Sequence, residues 1–388
     1  MRAPIQYGIV QTGVPVEGGV PCVRVMDLST EPIHTDSIVR VDPGIHARYR
    51  KTCLEEKDLL FVLRGDIGVV REVTPGLVGA NIHRGVARLS PNLDLVDHRY
   101  VLHALQAPAA SKEMHERATG SALKELPINQ LRRLPIPVPP IAIQRSIASL
   151  LDLLTERITL ARVALNARRR RMRALMDALL TGRRRFVASD AGPWIDIPIG
   201  ELFDATARPI EWDEGASYDL LSIRRRSGGV FLRSRMRAMD ISTKTLFEAH
   251  EGDILISKMQ AVHGAVGIAK AEHHGMKISG SYVALRPRAG APIVPAFFAW
   301  LTRLPLMYRA VLLSSYGVHI EKMTFNLAWY FRTVVSLPGV AEQRRIVELL
   351  DLCERDERSL EQLVVALDRQ KRGFLAKLLS GEIQVPSI

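Results

Sequence analysis

The feature that most constrains this chain is a long helix written twice. One copy opens on Gln144-Arg145-Ser146-Ile147, passes through Leu150-Leu151-Asp152-Leu153 and closes on Leu179-Leu180-Thr181-Gly182. The other opens on Gln343-Arg344-Arg345-Ile346, passes through Leu349-Leu350-Asp351-Leu352 and closes on Leu378-Leu379-Ser380-Gly381. An offset of 199 superimposes them without a gap, and 13 of the 39 aligned positions are identical. That period is far above the ~20–50 residues of solenoid repeats, so the pattern predicts two copies of a domain-plus-rod unit.

The rods carry apolar residues at steps of three and four. In the first they are Ile143, Ile147, Leu150, Leu154, Ile158, Ala161, Leu165, Met172, Leu175 and Leu179; in the second, Ile346, Leu349, Cys353, Leu360, Leu363, Leu367, Phe374 and Leu378. One long apolar stripe on a helix needs a partner. The residues expected to pair the helices are Ile147, Leu150, Leu154, Leu175 and Leu179 on one rod, with Ile346, Leu349, Leu360, Leu367, Phe374 and Leu378 on the other. Gly182 follows the last apolar pair, where a helix commonly stops. From Gln144 to Leu180 the rod would reach roughly 55 Å at 1.5 Å per residue.

The duplication continues outside the rods. Asp58-Leu59-Leu60-Phe61 answers Asp253-Ile254-Leu255-Ile256, and Gly65-x-x-Gly68 answers Gly264-x-x-Gly267. Gly120 and Asn129 answer Gly317 and Asn326, each 197 apart. Short β-type runs are expected at Cys22–Met26, Leu59–Leu63 and Ile67–Val70, then at Leu220–Ile223, Ile254–Ser257, Val266–Ala269 and Tyr282–Leu285. Helices are expected near Tyr100–Gln106, Ser111–Arg117 and Pro295–Leu304. The prolines of Leu134–Pro140 make an extended strap that closes the first domain. The expected organisation is therefore domain 1 over 1–140, rod 1 over 141–185, domain 2 over 186–338 and rod 2 over 339–388. Trp194–Leu202 reads as an edge strand and turn opening domain 2, and domain 1 begins too late in its own layout to contain that opening. Arg224–Gly229 has no counterpart in the first copy, nor has Asn81–Arg84 in the second, so a shared scaffold carries dissimilar loops.

Charge gives the partner class. Lys and Arg number 53 against 41 acids, a net charge of +12 over 388 residues. Such a surplus attracts polyanions, nucleic acid foremost. It is uneven: residues 141–186 hold 11 arginines against 3 acids, whereas 340–388 hold 8 bases against 9 acids. Arg168–Arg171 cannot all face one partner, since four consecutive helical side chains sweep most of the circumference. Phosphates are one destination for them, and the neighbouring helix or a second protein is the other. The three cysteines, Cys22, Cys53 and Cys353, have no C-x-x-C spacing. They suit a reducing compartment, and with no apolar run of membrane-spanning length a cytoplasmic protein is expected.

No catalytic constellation is legible. The chain has no Gly-Lys dipeptide for a phosphate-binding loop and no Asn-Pro-Pro-Tyr string. Glu55-Glu56-Lys57 superficially fits the acid-x-Lys of metal-dependent nucleases but lies in a charged loop. His263, His273 and His274 with Glu272 lack the helical spacing of a metal site, so no metal is expected. The chain reads as a reader of DNA and not an enzyme. Basic and amide side chains on loops would do the reading. The candidates are Arg48, Arg50, Arg64, Asn81, His83 and Arg84 in domain 1, and Arg224, Arg225, Arg226, Arg233, Arg235, Lys258 and Gln260 in domain 2.

A variable domain, a proline strap and a Gln-Arg-x-Ile helix ending in Leu-Leu-Thr/Ser-Gly, all duplicated, resembles the specificity subunit of type I restriction–modification systems. The strongest stretch is Leu337-Pro338 through Glu342-Gln343-Arg344-Arg345-Ile346 to Leu378–Glu382, and Ile199-Gly200-Glu201-Leu202 resembles the family's domain opening. Ile143 stands where the family's Glu precedes Gln. The resemblance implies an α+β chain: two target-recognition domains separated and followed by long helices that pair as an antiparallel coiled coil, pseudo-two-fold. It implies double-stranded DNA read as two half-sites, and two modification (methyltransferase) subunits docked on the rods, with restriction subunits completing a restricting complex. Its cofactors, S-adenosylmethionine, ATP and Mg, would sit on those partner subunits. A free-standing architectural or regulatory DNA-binding protein is the alternative, and a nuclease using Glu55 and Lys57 the third reading.

Overall fold

The structure, a computed structural model, describes residues 1–29, 33–186 and 192–385. It mixes helices and strands and forms two compact units: Met1–Ala164 with Glu361–Ile388, and Leu165–Leu360. Each unit holds one globular domain and one end of each rod, so the division falls inside the rods.

Each domain is built on one central strand. Leu59–Val62 is buried at every position, as a wholly apolar run flanked on both sides should be. It pairs antiparallel with Val86–Ser90 and Val70–Glu72, and Ala3–Tyr7 completes a four-stranded sheet. In domain 2 Ile254–Ser257 takes the same place between Val266–Ile268 and Tyr282–Pro287, with Phe203–Thr206 at the edge. The strand order is the same in both.

A second sheet corrects one reading and the edge of the first corrects another. In domain 1 Val20–Val23 pairs antiparallel with Arg40–Val41 and parallel with Asn81–Ile82. In domain 2 Ser217–Ile223 pairs antiparallel with Val230–Arg237 and parallel with Lys277–Ser279. Asn81–Ile82 therefore has a counterpart, hidden because its partner shares the strand's place and not its residues. The strand expected at Ile67–Val70 is Val70–Glu72, because the chain is still turning at Ile67, whose N–H meets the Gly65 carbonyl at 2.9 Å.

Three helices fall close to where they were expected, at His98–Leu105, Pro108–Arg117 and Pro295–Leu301, and a further one, Pro305–Leu313, was not expected. Asp97 caps the first, accepting from the N–H groups of Arg99 and Tyr100 at 3.0 and 3.1 Å. Buried Tyr100 donates its hydroxyl to the Pro137 carbonyl at 2.8 Å, which ties down the proline strap. Burial pushes that phenol up to about 12. In domain 2 Ile195–Pro198 pairs with Val334–Leu337, and the turn Ile199–Leu202 follows it. Among the described residues domain 1 has no such strand or turn. Ile383 and Val385, just beyond rod 2, pack on its core instead, as Phe186 beyond rod 1 packs on the core of domain 2.

The rods are single helices, Ile141–Leu180 and Val340–Ser380, of 40 and 41 residues. In the first unit Ile147, Leu151 and Leu154 share a core with Leu375 and Leu378, joined by Leu150 and Phe374. In the second, Leu179 and Leu180 share a core with Ile346 and Leu350, joined by Leu175 and Leu349. Leu360 and Leu367 are half-buried, whereas Leu363 of the expected stripe is exposed. Within each unit the rods run antiparallel, since higher positions on one meet lower positions on the other. Acids of rod 2 take up part of rod 1's positive surplus: Arg162 meets Asp368 at 2.7 Å, Arg168 meets Asp356 at 3.3 Å, and Arg169 meets Glu357 at 3.2 Å. Of Arg168–Arg171, the first two thus face the other helix. Arg170 and Arg171 are exposed and make no ion pair with a described residue.

The repeated Gln and Asp mount each domain on its rod. Gln144 is fully buried; its Oε1 accepts from the Asp97 N–H at 2.9 Å, and its Nε2 donates to the Leu95 and Pro139 carbonyls at 3.2 and 2.7 Å. Gln343 repeats the arrangement with the Val294 N–H at 2.8 Å and the Pro292 and Pro338 carbonyls at 2.8 and 2.9 Å. Two helical turns on, Asp152 binds Arg99 and His103 at 2.9 and 2.7 Å, and Asp351 accepts from the Trp300 indole at 2.8 Å.

Candidate nucleic-acid interface

In domain 2 the arginines gather on one hairpin. Ser217–Ile223 and Val230–Arg237 are its strands, and Arg224–Gly229 its turn. Arg226 and Ser227 hold left-handed backbone, φ 57° and 53°, unusual for residues with a side chain. Neighbouring structure holds the turn in that shape. The N–H groups of Arg226 and Ser227 donate to the His263 and Gly264 carbonyls at 2.7 and 2.8 Å. The Ser227 and Tyr308 hydroxyls lie 2.9 Å apart. Gly264 permits this seat: a Cβ there would lie 2.4 Å from the Tyr308 ring, and its φ is +71°. Arg224 stacks over Phe231 at 4.1 Å, and Arg225 pairs with Glu321 at 3.0 Å. Arg226 is exposed at the turn.

Arg233, Arg235 and Arg237 alternate along the outer strand and are all exposed. That strand is an edge, where charge also blocks pairing with a foreign strand. Arg235 lies 3.9 Å from Asp219 and Arg237 3.1 Å from Asp240. Lys258 stands apart from the hairpin and is half-exposed, its ammonium on the Gly280 carbonyl at 2.8 Å. Gln260 is placed differently from the expectation: its side-chain oxygen is buried and does not face solvent.

Domain 1 has a different surface. Arg48 ends the short helix Pro43–Arg48 and Arg50 opens the helical turn Arg50–Thr52, both exposed in the loop that joins the small sheet to the central strand. Asn81, expected to read bases, is buried beneath that loop. Its Oδ1 accepts from the Thr52 hydroxyl at 2.7 Å, and its amide donates to the Tyr49 carbonyl at 3.1 Å. A side chain so occupied positions Arg48 and Arg50 and reads nothing itself. Arg64 is taken up by Glu125, Nε to carboxylate 2.9 Å, which leaves less of its charge for an outside anion. His83 is half-buried, and burial first, then Arg84, Arg24 and Arg64, lower its pKa, so it is neutral at neutral pH. Arg84 is exposed beside it.

The enzyme-like groups have structural partners. Glu55 meets Arg88 at 3.0 Å and Arg2 at 3.7 Å, while Lys57 sits in a tight turn at φ 64°. The adjacent Asp58, fully buried, binds Arg88 and Arg2, and its counterpart Asp253 binds Arg208. His273 is buried and accepts from the Lys270 N–H through Nδ1 at 3.0 Å, and His274 stacks on His250. No cluster of metal-ligating side chains occurs among the described residues. Nor is any single helix among them long and apolar enough to cross a membrane.

The arrangement has counterparts among known proteins. Residues 16–168 match the model of the type I restriction modification DNA specificity domain. The chain resembles a type I specificity subunit. The specificity subunit of the type I restriction enzyme EcoBI from Escherichia coli is 26% identical over 149 residues, 38% of this chain and 31% of that relative's length. The chain therefore matches about a third of the curated relative. Among solved structures, the type I specificity subunit from M. genitalium aligns over 97% of this chain and 93% of its own, with a TM-score of 0.57 and 14% identity. A chain from a structure described as the basis of complex assembly and conformational transition of the type I system aligns over 85% and 83%, with a TM-score of 0.54 and 19% identity. These structures share the fold of two domains and long helices. Domain 2 lies outside the matched segment and shares the sheet order and glutamine mount of domain 1.

Proposed function

We propose that this chain is the DNA-binding specificity subunit of a type I restriction–modification complex, each domain reading one half of a split duplex target. The observation that carries the reading is a pair of domains with one sheet order and one glutamine mount but different arginine surfaces. A common frame with dissimilar loops suits two half-sites of different sequence. Reading needs no chemistry in this chain. Adenine methylation, with S-adenosylmethionine, would belong to modification subunits, and ATP-driven cleavage with Mg to restriction subunits, all in the cytoplasm.

The rods would set the gap between half-sites and dock two modification subunits. Support for two equivalent docking places lies in Leu153 and Leu352, identical in the repeat and 47% and 51% exposed. An apolar side chain kept in both copies yet left outside the core suits a partner's surface. Forty residues of helix span roughly 60 Å, about one and three-quarter turns of duplex at 3.4 Å per base pair.

Sequencing the methylome of cells with and without the gene tests the reading. A split motif should lose adenine methylation when the gene is removed. If none does, the specificity-subunit reading fails.

A further inference from the structure

The two domains each contain an open cleft at the same place in the fold. In domain 1 it lies beside the edge strand Ala3–Tyr7 and the short helix Ile128–Leu131, with a volume of about 730 Å³. In domain 2 it lies beside the counterpart strand Phe203–Thr206 and the short helix Leu327–Tyr330, with a volume of about 570 Å³. Asn129 lines the first and Asn326 the second, the asparagines that the repeat places 197 apart.

The linings differ sharply. Arg48, Arg50, Lys51 and Arg132 line the first cleft, and no carboxylate is among the described residues there. All four are exposed. Asn81 anchors the backbone that carries the first three, and the Arg132 guanidinium donates to the Ile5 carbonyl at 2.7 Å. Four like charges held around one opening repel each other, and a polyanion relieves that repulsion. Gln6 and Asn129, beside them, have the amide chemistry that meets adenine edges. In the second cleft Lys258 is the one cation among the described lining residues, accompanied by Tyr282, Tyr316 and Phe247.

Resting on the specificity-subunit reading, we propose that these twin clefts are where each domain receives its half of the duplex. In domain 1 the four cations take phosphates while Gln6 and Asn129 meet base edges. In the domain 2 cleft itself contact is more apolar and hydroxyl, with Lys258 on a phosphate, while the exposed arginines of the Arg224–Arg237 hairpin lie outside its lining. The two clefts therefore depend unequally on salt.

The test uses the full chain co-expressed with its modification subunit. Genomic DNA from those cells gives the methylated motif, and a short duplex carrying that motif is the binding probe. Replacing Arg48 and Arg50 by Ala should lower the slope of log affinity against log salt by about two, and Lys258→Ala by about one. Gln6→Ala with Asn129→Ala should relax preference at one half-site by about tenfold and leave the other half-site unchanged. Cleft variants that bind and methylate as the wild type does, on a motif the wild type plainly reads, overturn the clefts and leave the subunit reading standing. Equal loss at both half-sites with a lowered melting temperature also overturns them, as it marks a structural role. If the wild type yields no split motif, the subunit reading fails and the clefts with it.

Discussion

Gln144 and Gln343 each make three hydrogen bonds to main-chain atoms, in full burial. Removing either amide strands buried N–H and C=O groups, each worth about 1–3 kcal/mol. Gln144→Ala and Gln343→Ala should therefore each cost about 2–4 kcal/mol in the unit that carries the residue, read by denaturant unfolding with hydrogen exchange assigning the loss to one unit. Asp152 adds a pH limb. Burial alone would raise its pKa, but the bonds and charges of His103 and Arg99 outweigh that and hold the carboxyl below its ordinary 3.8. A folded pKa below the unfolded one gives stability that is complete above the unfolded value and is lost as pH falls through the folded value. The loss thus belongs to the acid side of 3.8, and Asp152→Asn should remove that limb from a melting-temperature series run down in pH.

At the scale of elements, packing outweighs charge where the rods meet. The pairs of Arg168 and Arg169 with rod 2 are part-exposed on both sides. Such pairs contribute about 0–1 kcal/mol. Arg168→Ala with Arg169→Ala should thus shift the unfolding midpoint little, while Ile346→Ala, emptying a fully buried site, should cost about 2–5 kcal/mol. The rod ends form a tighter constraint. Gly182 sits at φ +71° with the Trp194 ring 3.3 Å from where a Cβ would be, so Gly182→Ala should destabilise the rod end and shift the tryptophan emission. The rods were the legible elements: their starts lie within three residues of the repeated Gln, because period and stop signal are both local. The edge strand Val230–Arg237 was not legible, since its arginines read as loop charge and only the hairpin partner shows it to be a strand. Asn81 was misread for the same reason. Its polarity suggested a surface, and its burial depends on Thr52 and Tyr49, far away in sequence. Of the site, the sequence showed which arginines exist; what it could not show is that Glu125 and Glu321 take up Arg64 and Arg225.

For the whole molecule, the proposed ruler makes a geometric demand. Inserting about two helical turns into both rods adds ~10 Å, so the gap in the methylated motif should widen by about three base pairs while both half-sites keep their sequence. Methylome sequencing of the insertion strain reads this directly, and an unchanged gap would remove the rods from that role. The glutamine mounts have a consequence of another kind. They grip only carbonyls and N–H groups, Leu95, Pro139 and Asp97 in one copy, Pro292, Pro338 and Val294 in the other. A socket that recognises main chain makes no demand on the side chains plugged into it. A change in a domain's loops therefore leaves its attachment intact, while a change at the mounting glutamine strands buried main-chain groups. The repeat accordingly reads most clearly at the rod ends that carry the mounts, Gln144–Leu153 against Gln343–Leu352.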